Sequence, residues 1–162
     1  MTGTSATLFA PNVTTTRAML ATLLYRLEGE PDAGSASFTD VASGTWYSDA
    51  VAWAASEGVV NGVGDGSAFD PNGNITREQM AVMLYRYADY KGYDVTQGGM
   101  AAREYEDYET VSSWAVSAVD WAVNAGLISG TSATTLTPQG SATRAEIATI
   151  LMRFVESFVP AE

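Results

Sequence analysis

The sequence predicts an all-α fold of tandem helix–loop–helix repeats, and three observations predict it. Landmarks recur at an offset of 67 or 68 residues: Trp46 with Trp114, Trp53 with Trp121, Gly58 with Gly126, Gly62 with Gly130, Arg77 with Arg144. A helical apolar stripe follows each Thr-Arg pair: Leu20, Leu23, Leu24 and Leu27; Met80, Met83, Leu84 and Tyr87; Ile147, Ile150, Leu151 and Phe154. Six of the seven arginines fall at two repeated positions, Arg17, Arg77 and Arg144, then nine residues on Arg26, Arg86 and Arg153. A period this long means stacked supersecondary units that bury a shared core.

The chain starts inside a copy. Gly3-Thr4-Ser5-Ala6-Thr7 is identical to Gly130-Thr131-Ser132-Ala133-Thr134, and Phe9-Ala10-Pro11-Asn12 matches Phe69-Asp70-Pro71-Asn72. Residues 1–30 therefore read as the second half of a first copy, 38–90 as a second copy and 103–159 as a third, within one domain spanning 1–162. The incomplete first copy is read as a fragment of a longer tandem that lacks one helix. Connectors at 29–37 and 91–99 carry Gly, Pro, Asp and Ser. Each complete copy opens with a short helix of small residues (Val51, Ala54, Ala55; Val119, Ala122, Val123) that ends at a glycine suited to a left-handed C′ position, Gly58 or Gly126. A Gly-rich loop with a Pro turn follows, with room for short β pairing. Thr then caps the second helix. Thr76 with Gln79 and Thr143 with Glu146 satisfy a capping box, whereas Met19 cannot close one with Thr16.

Composition limits function. With 162 residues and 46 % apolar content, the chain builds a real core. Nineteen acids against eight bases give a net charge of −11, which argues against nucleic acid and against anionic membrane as partners held by bulk attraction. No stretch is long enough for membrane insertion, and Met1 to Pro11 lacks the basic start and apolar centre of a leader. There is no Cys and no His, so thiolate, disulfide and imidazole chemistry are excluded. The loop from Asn61 fails as a calcium site, with Val63 where an oxygen ligand is needed and Asn72 rather than Glu at position twelve, and neither metal nor cofactor is expected. Acids stand at equivalent rather than convergent positions, which argues against a glycosidase. The cluster Glu104, Glu106, Asp107, Glu109 reads as a solvated face.

The repeated arginines carry the functional argument. At the first helical position a cation opposes the helix dipole, so a capping role explains the Thr but not the Arg. Beside free backbone N–H groups, the guanidinium makes an anion-binding corner suited to a carboxylate. The other reading is a structural salt bridge to the repeated Asp40 and Asp107. Arg26, Arg86 and Arg153 lie about two and a half turns further on, on the opposite helix face near the C-terminus, and read as structural. Trp46 and Trp114 are either sugar-stacking platforms or core anchors; Trp53 and Trp121 read as core.

The combination Phe38-Thr39-Asp40-Val41, Trp46, Gly58 to Gly62, Phe69-Asp70-Pro71 and Thr143-Arg144-Ala145-Glu146 resembles the S-layer homology (SLH) domain family. The resemblance covers nearly the whole chain. It implies a pseudo-threefold all-α bundle. It also implies a non-catalytic cell-wall anchor at the bacterial surface, whose inter-repeat grooves bind anionic, commonly pyruvylated, secondary cell-wall polysaccharide. Carried over, the ligand-binding residues are Arg17, Arg77 and Arg144, with Trp46, Trp114, Gly62 and Gly130. Met19 and Gln79 replace the motif Glu, and the missing first helix is expected to border Arg17, so Arg77 and Arg144 rank above it. The alternative is a protein-interaction scaffold, with a homo-oligomer formed through the incomplete first repeat.

Overall fold

The computed structural model describes residues 1, 3–35 and 37–159. Five helices carry the fold: α1 (Arg17–Leu27), α2 (Ser48–Ser56), α3 (Arg77–Tyr90), α4 (Val116–Asn124) and α5 (Arg144–Phe158). Two short 3₁₀ turns, Ala101–Glu104 and Tyr108–Thr110, lead into α4. β structure among the described residues is limited to isolated bridges. The fold is all-α, as the repeat pattern requires.

The helix boundaries follow the local chemistry. Thr76 and Thr143 each accept from the amide three residues on, while Gln79 and Glu146 return a bond to the cap amide, so both capping boxes close. Thr16 accepts from the Met19 amide alone. Helices α2 and α4 end at Gly58 and Gly126, with φ of 72° and 71°.

Three copies meet at a central hydrogen-bonded triangle. The Thr15 amide donates to Ala142 O, the Ala142 amide to Ile75 O and the Ile75 amide to Thr15 O, each at 2.9 Å. This closed circuit marks the pseudo-threefold axis. Long helices α1, α3 and α5 start from it. On the outside α2 packs on α1, and α4 packs on α3. The core between them is continuous and rich in aromatics: Trp53 and Trp121 are each 1 % exposed, and Tyr87, Phe154, Phe158 and Trp121 form an unbroken chain of ring contacts.

Among the described residues no counterpart of α2 covers α5. Ala81, Leu84 and Ala88 on α3 are fully or almost fully buried, and Tyr85 packs edge-on to Trp121 of α4. At the corresponding positions of α5, Met152 is 53 % exposed and Val155 is 36 % exposed.

Candidate functional site

Each long helix hands its N-terminus to the loop of the next copy. The amides of Arg17 and Ala18 donate to Gly73 O and Pro71 O; those of Arg77 and Glu78 to Gly140 O and Pro138 O; those of Arg144 and Ala145 to Val13 O and Pro11 O. With the third amide taken by the Thr cap, the helix ends offer no free N–H row. The sequence reading of an anion corner built partly from free amides is corrected here, because the Pro turn of a neighbouring copy consumes them.

The first-set arginines are folded into the same junctions. Arg17, Arg77 and Arg144 are 5 %, 6 % and 8 % exposed. Arg17 Nε donates to Phe69 O at 2.8 Å and Nη2 to Asn61 O at 3.2 Å. Arg77 Nε donates to Leu136 O at 2.8 Å and Nη2 to Ser129 O at 2.6 Å. Arg144 Nε donates to Phe9 O at 2.9 Å. The Arg17 and Arg144 guanidinium groups also lie over the Phe69 and Phe9 rings, 4.7 and 5.0 Å from the centroids.

Asp40 and Asp107 do not close onto these arginines. Asp40 accepts from the amides of Phe69 and Asp70, at 2.8 and 2.7 Å. Asp107 accepts from those of Leu136 and Thr137, both at 2.7 Å. Each carboxylate holds the far side of the peptide whose carbonyl takes the Arg Nε. These turns need holding, because Asp70 and Thr137 precede proline at φ of 58° and 53°, in the left-handed region. Burial pushes the Asp40 and Asp107 carboxyls up, but the amide bonds and the nearby Arg17 or Arg77 charge outweigh it, leaving both below the ordinary value. Asp107 is thus a clamp and not part of a solvated acidic face; Glu104, Glu106 and Glu109 are exposed as expected.

Two equivalent grooves open at these junctions. The larger, about 380 Å³, lies between Arg17, the loop from Val60 to Gly64, Gln79, Val82, Met83 and Arg86 of α3, and Trp114. The other, about 230 Å³, lies between Arg77, Ser129, Gly130, and Glu146, Thr149, Ile150 and Arg153 of α5. Arg86 and Arg153 were read as structural because they lie opposite Arg77 and Arg144 on their own helices. Across copies they converge instead: Arg86 joins Arg17, and Arg153 joins Arg77. The Arg17 groove is walled by the second copy's loop.

The predicted site residues divide between these places. Trp114 lines the Arg17 groove and is 58 % exposed. Trp46 is 61 % exposed and meets Tyr47 edge-on. Neither is a core anchor, whereas Trp53 and Trp121 are. Gly62 and Gly130 line one groove each, and each is demanded by close backbone approach: a Cβ on Gly62 would collide with Gly66 O, and one on Gly130 with Ser132 O. Burial pushes the Arg17 pKa down, with the Arg86 charge adding to it and Asp70 and Asp40 opposing; burial also lowers that of Arg86.

Sequence reading missed Glu78. It is 4 % exposed and accepts from the Ser112 amide at 2.9 Å and the Ser112 hydroxyl at 2.8 Å, two residues before Trp114. The other copies carry Ala18 and Ala145 there. A lone Glu among repeat alanines was the available signal.

A repeat unit whose Thr-Arg helix docks on the Pro turn of the next copy defines a tandem-repeat module closed around a pseudo-threefold axis. The profile described as S-layer homology domain matches residues 37–81 and 104–148. The chain belongs to the S-layer homology domain family. It is 35 % identical over 156 residues to an amylopullulanase of Thermoanaerobacterium thermosulfurigenes, covering 95 % of this chain and 8 % of that protein. It is 32 % identical over 160 residues to an S-layer protein of Bacillus thuringiensis subsp. finitimus, covering 98 % and 19 %. It is 30 % identical over 154 residues to a cellulosome-anchoring protein of Acetivibrio thermocellus, covering 92 % and 34 %. The chain thus spans from 8 % to 34 % of the length of these relatives. It is a non-catalytic, cell-surface anchoring module; the enzymes that match carry it as a small part of their length. No helix among the described residues is long and apolar enough to cross a membrane.

Proposed function

We propose that this module anchors its protein by binding an anionic secondary cell-wall polysaccharide, with a pyruvate ketal carboxylate as the recognised group. The supporting observation is the groove pair in which a repeated helix-start arginine meets a second arginine from the next copy. In a chain of net charge −11, two guanidinium groups facing one cavity make a local cationic well. Arg17, Arg77 and Arg144 are the cations that the family resemblance marks for this role, and Arg17 and Arg77 each share a groove with a second arginine. Trp114 and Trp46 supply exposed faces for sugar C–H packing, and Gly62 and Gly130 let the loop backbone approach the ligand.

Alanine at the helix-start arginines is a poor test, because it strands backbone carbonyls. Arg86→Gln and Trp114→Ala are cleaner. Calorimetric titration with the methyl glycoside of a pyruvate-ketal amino sugar should give binding, which the ketal-free glycoside does not. Each variant should weaken it with an unchanged melting temperature. Equal binding with and without the ketal would refute carboxylate recognition.

A second reading, self-association, is favoured by the uncovered α5 face at Met152 and Val155. A second copy would bury it where α4 buries the same face of α3. A monomeric sedimentation profile across micromolar concentrations would exclude it.

A further inference from the structure

We infer that the two equivalent grooves are unequal: the Arg17 groove takes the carboxylate, and Glu146 holds the Arg77 groove shut against it. This rests on the glycan reading above and adds which groove is used and why.

Trp114 lines only the Arg17 groove, and the charge difference lies at one repeated position. In the Arg77 groove, Glu146 Oε1 accepts from Arg77 Nη1 at 2.5 Å, while Oε2 accepts from the Thr143 amide and hydroxyl at 2.8 and 2.9 Å. All three guanidinium nitrogens of Arg77 are then engaged, two on carbonyls and one on a carboxylate. The groove already contains the ligand's own chemistry, built in.

In the Arg17 groove the same position is Gln79. Its Oε1 accepts from the Thr76 amide, so it closes the capping box without bringing a negative charge. Among the described residues Arg17 Nη1 has no partner, and no acid lines the groove. Arg86 faces it across the cavity, and Trp114 borders it. A carboxylate entering here gains two guanidinium groups and an aromatic face. One entering the Arg77 groove must displace Glu146 or sit beside it, like charge against like charge. At the Arg144 junction the counterpart of Arg86 is Arg26, whose side chain is 55 % exposed and ion-paired with Glu30 at 3.7 Å, so its charge already has an acidic partner.

The swap of these two residues tests the inference without threatening the fold, since each box already exists with the other residue. Titrate the pyruvate-ketal methyl glycoside into the wild type, Gln79→Glu and Glu146→Gln. The wild type should bind with a stoichiometry of one. Gln79→Glu should bind about tenfold more weakly or worse, the worth of one charge-assisted contact. Glu146→Gln should gain a second site. Two equal sites in the wild type, an unchanged Gln79→Glu, or no gain in Glu146→Gln would overturn the inequality alone. Silence in all three folded proteins would overturn the glycan reading and this inference together.

Discussion

Replacing Glu78 by alanine is the sharpest test of how the third copy is fastened to the second. The carboxylate sits in the first turn of α3 and holds Ser112 through amide and hydroxyl, at 2.9 and 2.8 Å, with Gln139 Nε2 a longer third donor at 3.3 Å. Hydrogen bonds to a charged group contribute about 1.5–3 kcal/mol each. Both short bonds end on one residue, and Ser112 is half-buried and can recover some solvation, so their sum is less than additive. Loss of favourable charge at the helix N-terminus adds about 0.5 kcal/mol. The expected cost is about 3 kcal/mol, a fall in melting temperature of roughly 6–12 °C for a domain of this size. Ser112→Ala removes only the hydroxyl bond and should cost about 1.5 kcal/mol, the low end for a bond to a charged group. Thermal unfolding followed by circular dichroism on Glu78→Ala, Ser112→Ala and the double variant measures both. Alanine already occupies this position in the other copies, so a fall below about 2 °C would mean that Glu78 is merely tolerated and that the tether argument is wrong. A double variant that loses the full sum of the two single losses would likewise show that Glu78 and Ser112 do not act through each other.

Other outcomes follow from the same contacts. Trp53→Ala, at a site 1 % exposed, should cost about 3–5 kcal/mol in denaturant unfolding, and a loss under about 1 kcal/mol would contradict its place in the core. Asp40 and Asp107 are held below the ordinary carboxylate value. Their contribution is therefore present above about pH 4 and lost as pH falls through the lower folded values. Asp40→Asn/Asp107→Asn should be less stable than the wild type at neutral pH, with the gap narrowing as the pH falls below about 4; a gap in melting temperature that stays constant through acid titration would refute the clamp. Ala10 precedes Pro11 at a φ of 52°, and Ala10→Gly should gain about 1 kcal/mol in denaturant unfolding by removing the left-handed cost; a loss would show that the turn is not strained.

The features legible in the chain were local or periodic. The capping boxes at Thr76 and Thr143, the open one at Thr16, the glycine stops of α2 and α4 and the buried Trp53 and Trp121 depend on residues a few positions apart, so spacing sufficed. Which repeated groups meet depends on the packing of one copy against another. Arg17 bonds to Phe69 O and Asn61 O, 52 and 44 residues away, because each helix start docks on the next copy rather than its own. That hand-over spent the helix-end amides on Pro-turn carbonyls and turned Asp40 and Asp107 into clamps on those turns. It also brought Arg86 opposite Arg17, although along α3 Arg86 lies on the face away from Arg77. The repeat could be counted from the chain. The direction in which one copy reaches for the next depends on packing around the axis at Thr15, Ile75 and Ala142, and no local spacing encodes it.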